Sequence, residues 1–165
     1  MSVTDAVAQP GAAHGARVPR LPPPLYYAAA FVAGTQLSRT TIPLAFAVSP
    51  ATRVSGAVLI ACGAGLGGSA LAAVIRRKTT VVPHREVTAL LTDGPYRFSR
   101  NPMYTGLAVA YLGGVLLVGS WGPLLTLPVA LLAVRVLVIG PEERYLARRF
   151  PAAYAHYRAG TRRWL

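Results

Sequence analysis

The chain has 165 residues, of which 53% are hydrophobic and 13% charged, with a mean hydropathy of +0.44 and a formal net charge of +12. This composition is typical of integral membrane proteins and lies far from that of soluble domains. We expect no nucleic acid partner, because the positive charges lie between apolar segments, where membrane topology and anionic headgroups account for them. A single cysteine excludes an internal disulfide and a cysteine-rich metal site.

The N-terminal part, residues 1–24, is rich in Ala, Pro and Gly and ends in a run of three prolines. Its first twenty residues contain no apolar core of signal-peptide length, so we expect a disordered, uncleaved tail. Residues 25–165 are expected to form a single membrane domain. The predicted fold is all-α, with about four transmembrane helices and a C-terminal amphipathic cytoplasmic helix.

The first two apolar segments cover residues 25–48 and 54–75. At ~1.5 Å per residue, each is long enough to cross a hydrocarbon core of ~30 Å. The first carries Pro43 and Arg39, and Arg39 is expected to snorkel towards the interface. The second has no charge and contains small residues that allow neighbouring helices to approach closely. These residues are Gly56, Gly63, Gly67 and Gly68.

The last two spans are predicted over 102–118 and 124–139, joined by a tight reversal at 119–123, so that they form a helical hairpin. The Gly140-Pro141 pair is expected to break the helix. A new amphipathic helix then begins with Glu142 and Glu143, where the helix dipole favours acidic residues. Its arginines and aromatic residues suit a helix that lies on the membrane surface.

The distribution of Lys and Arg predicts the topology. Two lie before the first span, six in 76–101 and six after Gly140, so that 14 of the 17 share one side of a four-span arrangement. By the positive-inside rule both termini are then cytoplasmic, and we expect a protein of the bacterial plasma (inner) membrane. The 76–101 connection and the Glu142-Glu143 segment lie on the same side.

The densest polar segment, residues 93–106, reads D-G-P-Y-R-F-S-R-N-P-M-Y-T-G. Gly94-Pro95 predicts a turn, because glycine tolerates unusual φ values and proline fixes its own. Asn101-Pro102 predicts a helix start, with the Asn101 side chain capping free N–H groups. On residue types alone, the segment is either a basic connector at the membrane surface or a binding site.

Few kinds of chemistry fit the polar residues of the chain. The three histidines have no ligand-type partner at helical spacing, so no metal site is expected. Neither a nucleophile elbow nor a Walker-type loop is present in the sequence. Two adjacent carboxylates, a turn with free N–H groups, aromatic faces and arginines suit a polar, partly cationic cofactor and an amphiphile that arrives from the lipid.

Several motifs resemble those of a known family. They are G-P-Y-R-F-S-R-N-P-M-Y at 94–104, Pro83-His84, and E-E-R-Y-L-A-R-R-F-P-A-A-Y-A-H-Y at 142–157, followed by R-R-W-L. Together they closely resemble the isoprenylcysteine carboxyl methyltransferase family and, more distantly, the phospholipid methyltransferases. The resemblance covers about residues 79–165. It implies an integral-membrane, S-adenosylmethionine-dependent methyltransferase, with a cofactor site formed by the loop before the third helix and the segment after the fourth.

The resemblance also implies which residues bind the cofactor. They are His84, Gly94, Pro95, Tyr96, Arg100, Asn101, Pro102, Tyr104, Glu142 and Glu143. Many family members have His at the position of Asn101, and an asparagine cannot carry a proton. The catalytic candidates are Arg135, Glu143 and Arg163. A carboxylate acceptor needs an arginine to orient it, whereas an amine or thiol acceptor makes a base such as His84 or a glutamate useful.

The predicted function is methyl transfer to a lipophilic or amphipathic acceptor, a carboxylate, amine or thiol, at the cytoplasmic membrane face. Two alternatives stay open: an NADPH-dependent membrane reductase of similar scaffold, and a non-enzymatic small membrane protein or transporter. A proton-coupled transporter needs an acidic residue within a span, and none of the four predicted spans contains one. The sequence leaves the oligomeric state open.

Overall fold

A computed structural model describes residues 21–41, 43–77 and 90–164 of the chain. The regular elements of these ranges are helical, and one isolated bridge joins Ala45 to Ser120. The helices are α1 (Pro23–Thr40), α2 (Pro50–Arg76), α3 (Pro102–Val118), α4 (Gly122–Val134), α5 (Gly140–Arg149) and α6 (Pro151–Gly160), with a 3₁₀ turn at Gly94–Arg97 and a π-helical turn at Arg135–Ile139. The predicted all-α class is therefore confirmed for the described residues. Most of the predicted tail, residues 1–20, lies outside them.

The helices pack mainly as two pairs, α2 against α3 and α1 against α4. Glycines allow the closest approach, as the small-residue pattern of α2 predicted. A Cβ atom added at Gly106 would lie 2.5 Å from the carbonyl oxygen of Gly63, and one at Gly113 would lie 2.5 Å from that of Gly56. The prediction was wrong for Gly68, where an added Cβ atom meets open space.

The first helix is shorter than the apolar segment that contains it. It ends at Thr40, whereas the prediction extended the segment to residue 48. Pro43 disfavours the helical conformation at the residue before it and so opposes continuation. Residues 43–49 run without helix, and their backbone pairs with the α3–α4 reversal: Phe46 N–H donates to the Gly119 carbonyl and Trp121 N–H to the Leu44 carbonyl, both at 2.8 Å.

The predicted break at Gly140-Pro141 is wrong, because the helix continues from Gly122 to Arg149. A proline inside a helix lacks an N–H donor, and its ring collides with the carbonyl four residues earlier. The π-helical turn Arg135–Ile139 lies immediately before the proline, and in it Gly140 N–H donates to the Arg135 carbonyl five residues back. This wider turn accommodates Pro141 in a continuous helix.

The single C-terminal amphipathic helix of the prediction is two helices, α5 and α6. Pro151 follows Phe150, whose φ of −133° and ψ of 64° lie outside the helical region. Because a residue before proline is driven out of the α conformation, the chain bends at Phe150 and restarts. The bend lets α6 turn its buried tyrosines, Tyr154 and Tyr157, towards the rest of the protein.

Within the described ranges, two helices are long and apolar enough to cross a membrane, α2 and the continuous helix Gly122–Arg149. The apolar part of the second covers 122–139, because residues 142–149 carry five charged side chains. Helix α3 is shorter but also apolar. Gly119, with a φ of 67°, reverses the chain between α3 and α4, although each of these helices packs most extensively on a different neighbour.

Candidate functional site

Three segments that are distant in sequence meet at one end of the helices. They are the 94–101 turn with the first turn of α3, the start of α5, and residues 161–164 after α6, which we call the strap. The Arg100 backbone N–H donates to the Arg162 carbonyl at 2.9 Å, which joins the turn to the strap. Side chains of the start of α5 contact both.

The 94–101 turn has the backbone geometry that its sequence predicted. Gly94 adopts a φ of 58°, a left-handed conformation that favours glycine, and a 3₁₀ turn follows immediately. Tyr96 N–H donates to the Asp93 carbonyl at 3.1 Å, and Ser99 N–H donates to the Pro95 carbonyl at 3.3 Å. These bonds fix where Arg100 leaves the turn.

Asn101 occupies the predicted cap position of α3, but its side chain does not cap the helix. Instead, Asn101 Nδ2 donates to the Arg163 carbonyl of the strap at 3.0 Å. Its backbone N–H donates to the Oγ atom of the fully buried Ser99 at 3.1 Å. The predicted capping role is wrong because this tertiary partner holds the amide. Pro102 begins α3 as predicted and is buried.

Glu143 is held by two arginines. Arg163 forms a bidentate pair with it, through Nε to Oε1 at 3.1 Å and Nη2 to Oε2 at 2.7 Å. Arg100 Nη1 lies 3.2 Å from Oε1. Paired in this way, the Glu143 carboxylate is charge-compensated, and its hydrogen bonds raise the pKa of the Arg163 guanidinium.

Arg100 has a buried donor that its contacts leave unpaired. Its side chain is 10% exposed, and besides Glu143 its Nη1 atom reaches the Tyr154 hydroxyl at 3.4 Å. Its Nε atom is buried and has no hydrogen-bond partner among the described residues. An unmade bond of a buried charged group is costly, so a ligand acceptor at this position would be stabilising.

Glu142 has a different environment from its neighbour. The Tyr104 hydroxyl lies 3.0 and 3.2 Å from its two carboxylate oxygens, and no ion pair among the described residues includes it. Burial raises the pKa of Glu142 to about 7, the Tyr104 hydrogen bond opposes this, and the Glu143 charge adds to it. Glu142 therefore titrates near neutral pH and can exchange a proton there.

Several tyrosines surround this carboxylate. The Tyr27 hydroxyl of α1 donates to the Tyr104 carbonyl at 3.1 Å, and the Tyr157 hydroxyl of α6 donates to the Tyr96 carbonyl at 2.6 Å. Burial and the Glu142 charge raise the pKa of Tyr96 to about 12, so it stays a neutral phenol. The sequence analysis did not assign Tyr27, Tyr154 or Tyr157 to the site. The three-residue spacing of Tyr154 and Tyr157, which places both on one face of a helix, was the available signal.

One candidate residue, Arg135, is not in this cluster, and another, His84, is not among the described residues. Arg135 is exposed in the π-helical turn, and its side chain has no hydrogen bond or ion pair with another described residue. The structure does not bring it to the carboxylates. His84 falls in the 78–89 segment, outside the described residues, so its predicted role stays a prediction. The remaining candidates lie in the turn, the start of α3, the start of α5 and the strap.

A family model for phospholipid methyltransferases matches residues 51–153, more than half of the chain. The chain belongs to the phospholipid methyltransferase family. This family is in the same group as the isoprenylcysteine carboxyl methyltransferases, so the resemblance seen in the motifs is confirmed. Of the two families named there, the matched one is the more distant. No curated protein and no solved structure gives a match.

Membership of the phospholipid methyltransferase family makes the chain a methyltransferase by family. The two apolar helices found among the described residues agree with this family and indicate a membrane protein. The match includes the 94–101 turn, α3 and the Glu142-Glu143 pair, and ends before the strap. The site residues contributed by the strap therefore come from the structure alone.

Proposed function

We propose that the protein transfers a methyl group from S-adenosylmethionine to the amine of a membrane lipid. The observation that supports an amine as the methyl acceptor is the contrast between the two adjacent carboxylates. Glu143 pairs with both Arg100 and Arg163, whereas the side-chain partner of Glu142 among the described residues is the neutral phenol of Tyr104. Beside the arginines that pair with Glu143, the site therefore offers a proton acceptor, which an amine acceptor needs.

The residues fit the cofactor through the unpaired donor of Arg100. S-adenosylmethionine supplies an electrophilic methyl group on a sulfonium and carries one carboxylate. The buried Arg100 Nε is a charged donor that such a carboxylate satisfies. The tyrosine rings and the Glu142 carboxylate favour positive charge beside them. The turn residues Gly94, Pro95 and Tyr96, together with Asn101 and Pro102, support the walls of this site.

Glu142 is the proposed proton acceptor. A lipid amine is protonated in water at neutral pH and cannot attack until it loses a proton. A carboxylate with a pKa of about 7 is ionised in about half of the molecules at neutral pH, which suits a general base. Tyr104 holds the carboxylate by its hydroxyl and so fixes the direction of proton transfer.

The proposed membrane arrangement has four spans, α1, α2, α3 and the 122–139 part of the long helix, with the site on the cytoplasmic side and both termini there. The support is charge: exposed arginines of α5 and α6 surround the site end, which is the side that the positive-inside rule assigns to the cytoplasm. An acceptor with a lipid tail would then reach Glu142 from the cytoplasmic leaflet.

The test is transfer of labelled methyl groups by purified protein to three lipids in detergent micelles. They are a phospholipid with a primary amine in its headgroup, the same lipid with that amine acetylated, and a fatty acid. Label is expected in the first alone. Glu142→Gln is expected to reduce the rate at saturating cofactor. Label in the fatty acid would disprove the amine assignment, and binding of NADPH with none of S-adenosylmethionine would favour the reductase.

A further inference from the structure

The strap, residues 161–164, is joined to the site by several hydrogen bonds. Its two central carbonyls accept hydrogen bonds from the turn: Arg162 from the Arg100 N–H at 2.9 Å, and Arg163 from Asn101 Nδ2 at 3.0 Å. The Ser99 hydroxyl adds a longer bond to the Arg163 carbonyl, at 3.4 Å. The turn thus binds the backbone of the strap, whatever side chains the strap carries.

The side chains of the strap point to two other places. Arg163 reaches Glu143 at the start of α5, and Trp164 packs against the hydrophobic core. The exposed Arg162 has no side-chain hydrogen bond or ion pair with another described residue. The backbone of the strap therefore binds the turn, while the Arg163 side chain binds Glu143 at the start of α5. Arg163 takes part in both contacts, through its carbonyl and through its guanidinium.

Arg163 and Arg100 also contact a common carboxylate, so the position of Arg100 depends on how Arg163 holds Glu143. The Arg100 Nη1 atom contacts the same Glu143 oxygen, Oε1, that Arg163 Nε binds. Arg100 meets Glu143 through Nη1, on the edge of the guanidinium opposite to the buried Nε–H. If Arg163 did not hold the second oxygen, the carboxylate could pair with both Nη1 and Nη2 of Arg100 and turn the guanidinium, which would move Nε out of its place. Arg163 thus keeps Arg100 Nε in position for a ligand.

We propose that Arg163 and Asn101 are positioning residues that act as one unit through the strap. Arg163 holds Glu143 so that Arg100 keeps its donor for a ligand, and Asn101 fixes Arg163 by its carbonyl. Neither residue takes part in the chemistry. This role replaces the catalytic role predicted for Arg163, and it gives the asparagine of the family motif a function that needs no proton transfer. The inference rests on the proposed function for the identity of the ligand, S-adenosylmethionine.

The experiment compares Arg163→Ala, Asn101→Ala and the double variant, with Arg162→Ala as the matched control. Cofactor dissociation constants are measured by calorimetry, and Arg163→Lys is included as a variant that keeps the charge. Arg163→Ala is expected to weaken binding at least about tenfold, because it releases a paired, mostly buried carboxylate. The double variant should bind within about twofold of Arg163→Ala, since coupled residues are not additive. Arg162→Ala should leave binding unchanged.

A second readout needs no cofactor. Hydrogen exchange at the Arg100 amide, which the Arg162 carbonyl protects, should become faster in Arg163→Ala and in Asn101→Ala but not in Arg162→Ala. Exchange in the α2–α3 pair should stay unchanged, which shows that the variants are folded. Arg163→Lys is expected to lie between wild type and Arg163→Ala in both measurements.

The two readouts separate the inference from the proposed function. If wild type binds no S-adenosylmethionine, the proposed function is wrong, and the exchange rates alone test whether Arg163 and Asn101 position the turn through the strap. Multiplicative losses of affinity in the double variant, or equal exchange at Arg100 in Arg163→Ala and Arg162→Ala, would overturn the shared positioning role. Unchanged affinity in Arg163→Ala would overturn it as well.

Discussion

The Tyr104 hydroxyl lies 3.0 and 3.2 Å from the two carboxylate oxygens of Glu142, a residue 38 positions later in the chain. The contact joins the first turn of α3 to the start of α5. It is a hydrogen bond from a neutral donor, so it orients the carboxylate without supplying a positive charge. Glu142 consequently stays easy to protonate, whereas the neighbouring Glu143 pairs with two arginines.

The pH dependence of stability should reveal Glu142. Its pKa is raised from 4.5 to about 7 on folding, so the folded protein holds the proton more tightly than the unfolded chain. The free energy of unfolding should therefore fall as the pH rises from about 4.5 to 7 and level off above that, by at most about 3 kcal/mol at ~1.4 kcal/mol per pKa unit. Chemical unfolding of wild type and Glu142→Gln in detergent, compared at each pH, isolates this contribution. Identical curves for the two proteins would contradict the assignment.

Removing the Tyr104 hydroxyl should move the pH profile of activity. The hydrogen bond from Tyr104 lowers the pKa of Glu142, so Tyr104→Phe raises that pKa further. If Glu142 is the base, the rising limb of kcat/KM against pH shifts to higher pH. Tyr111→Phe is the control, because it deletes a buried hydroxyl that bonds the Pro123 carbonyl away from the site. A limb that moves equally in both variants, or in neither, argues against Glu142.

Arg100→Lys should weaken cofactor binding although it preserves the charge. Lysine carries its donors on one nitrogen, so it cannot reproduce the separate Nη1 contact with Glu143 and the Nε donor that faces elsewhere. We expect a loss of affinity of about tenfold or more, measured by calorimetry. The matched control is Arg97→Lys in the same turn, where the guanidinium is exposed and lies 5.3 Å from the Phe98 ring centroid. Equal losses in the two variants would show that the turn, and not the Arg100 donor, is responsible.

The glycine contact between α2 and α3 should be sensitive to a single methyl group. A Cβ atom at Gly113 would lie 2.5 Å from the Gly56 carbonyl oxygen, so Gly113→Ala forces the helices apart. Overpacking of this kind costs about 1–3 kcal/mol. In thermal unfolding, Gly113→Ala should melt well below wild type, whereas Gly68→Ala, which meets open space, should not. A stable Gly113→Ala protein would mean that the two helices pack less closely than described.

The proposed topology makes a prediction that does not depend on the site. A reporter that is active only in the cytoplasm should be active when fused after Leu165 and inactive when inserted in the 119–121 reversal. The reversal and the strap lie at opposite ends of the 122–139 segment, so a single crossing separates the two fusion positions. Activity at both positions would contradict a spanning role for the 122–139 segment.

Elements whose signals are local could be predicted from the amino-acid sequence. Pro102 begins α3 and Val118 ends it as predicted, because proline and glycine act on neighbouring backbone angles. The composition indicated the membrane, and the motif at 94–104 indicated the family. The same local signals led to the wrong predictions at Gly140-Pro141 and Phe150. A proline in the sequence does not show whether a π-helical turn will accommodate it in a continuous helix or whether the chain will bend.

The assembly of the site, in contrast, depends on tertiary contacts that no local pattern predicts. Asn101 can cap a helix or bind a distant carbonyl, and the strap, 62 residues later, is what selects the second. The sequence does not distinguish Glu142 from Glu143, yet Glu143 pairs with two arginines and Glu142 accepts a hydrogen bond from a phenol. The physical reason is that hydrogen bonding and burial depend on which side chains converge in space, and that convergence is set by helix packing rather than by any local pattern.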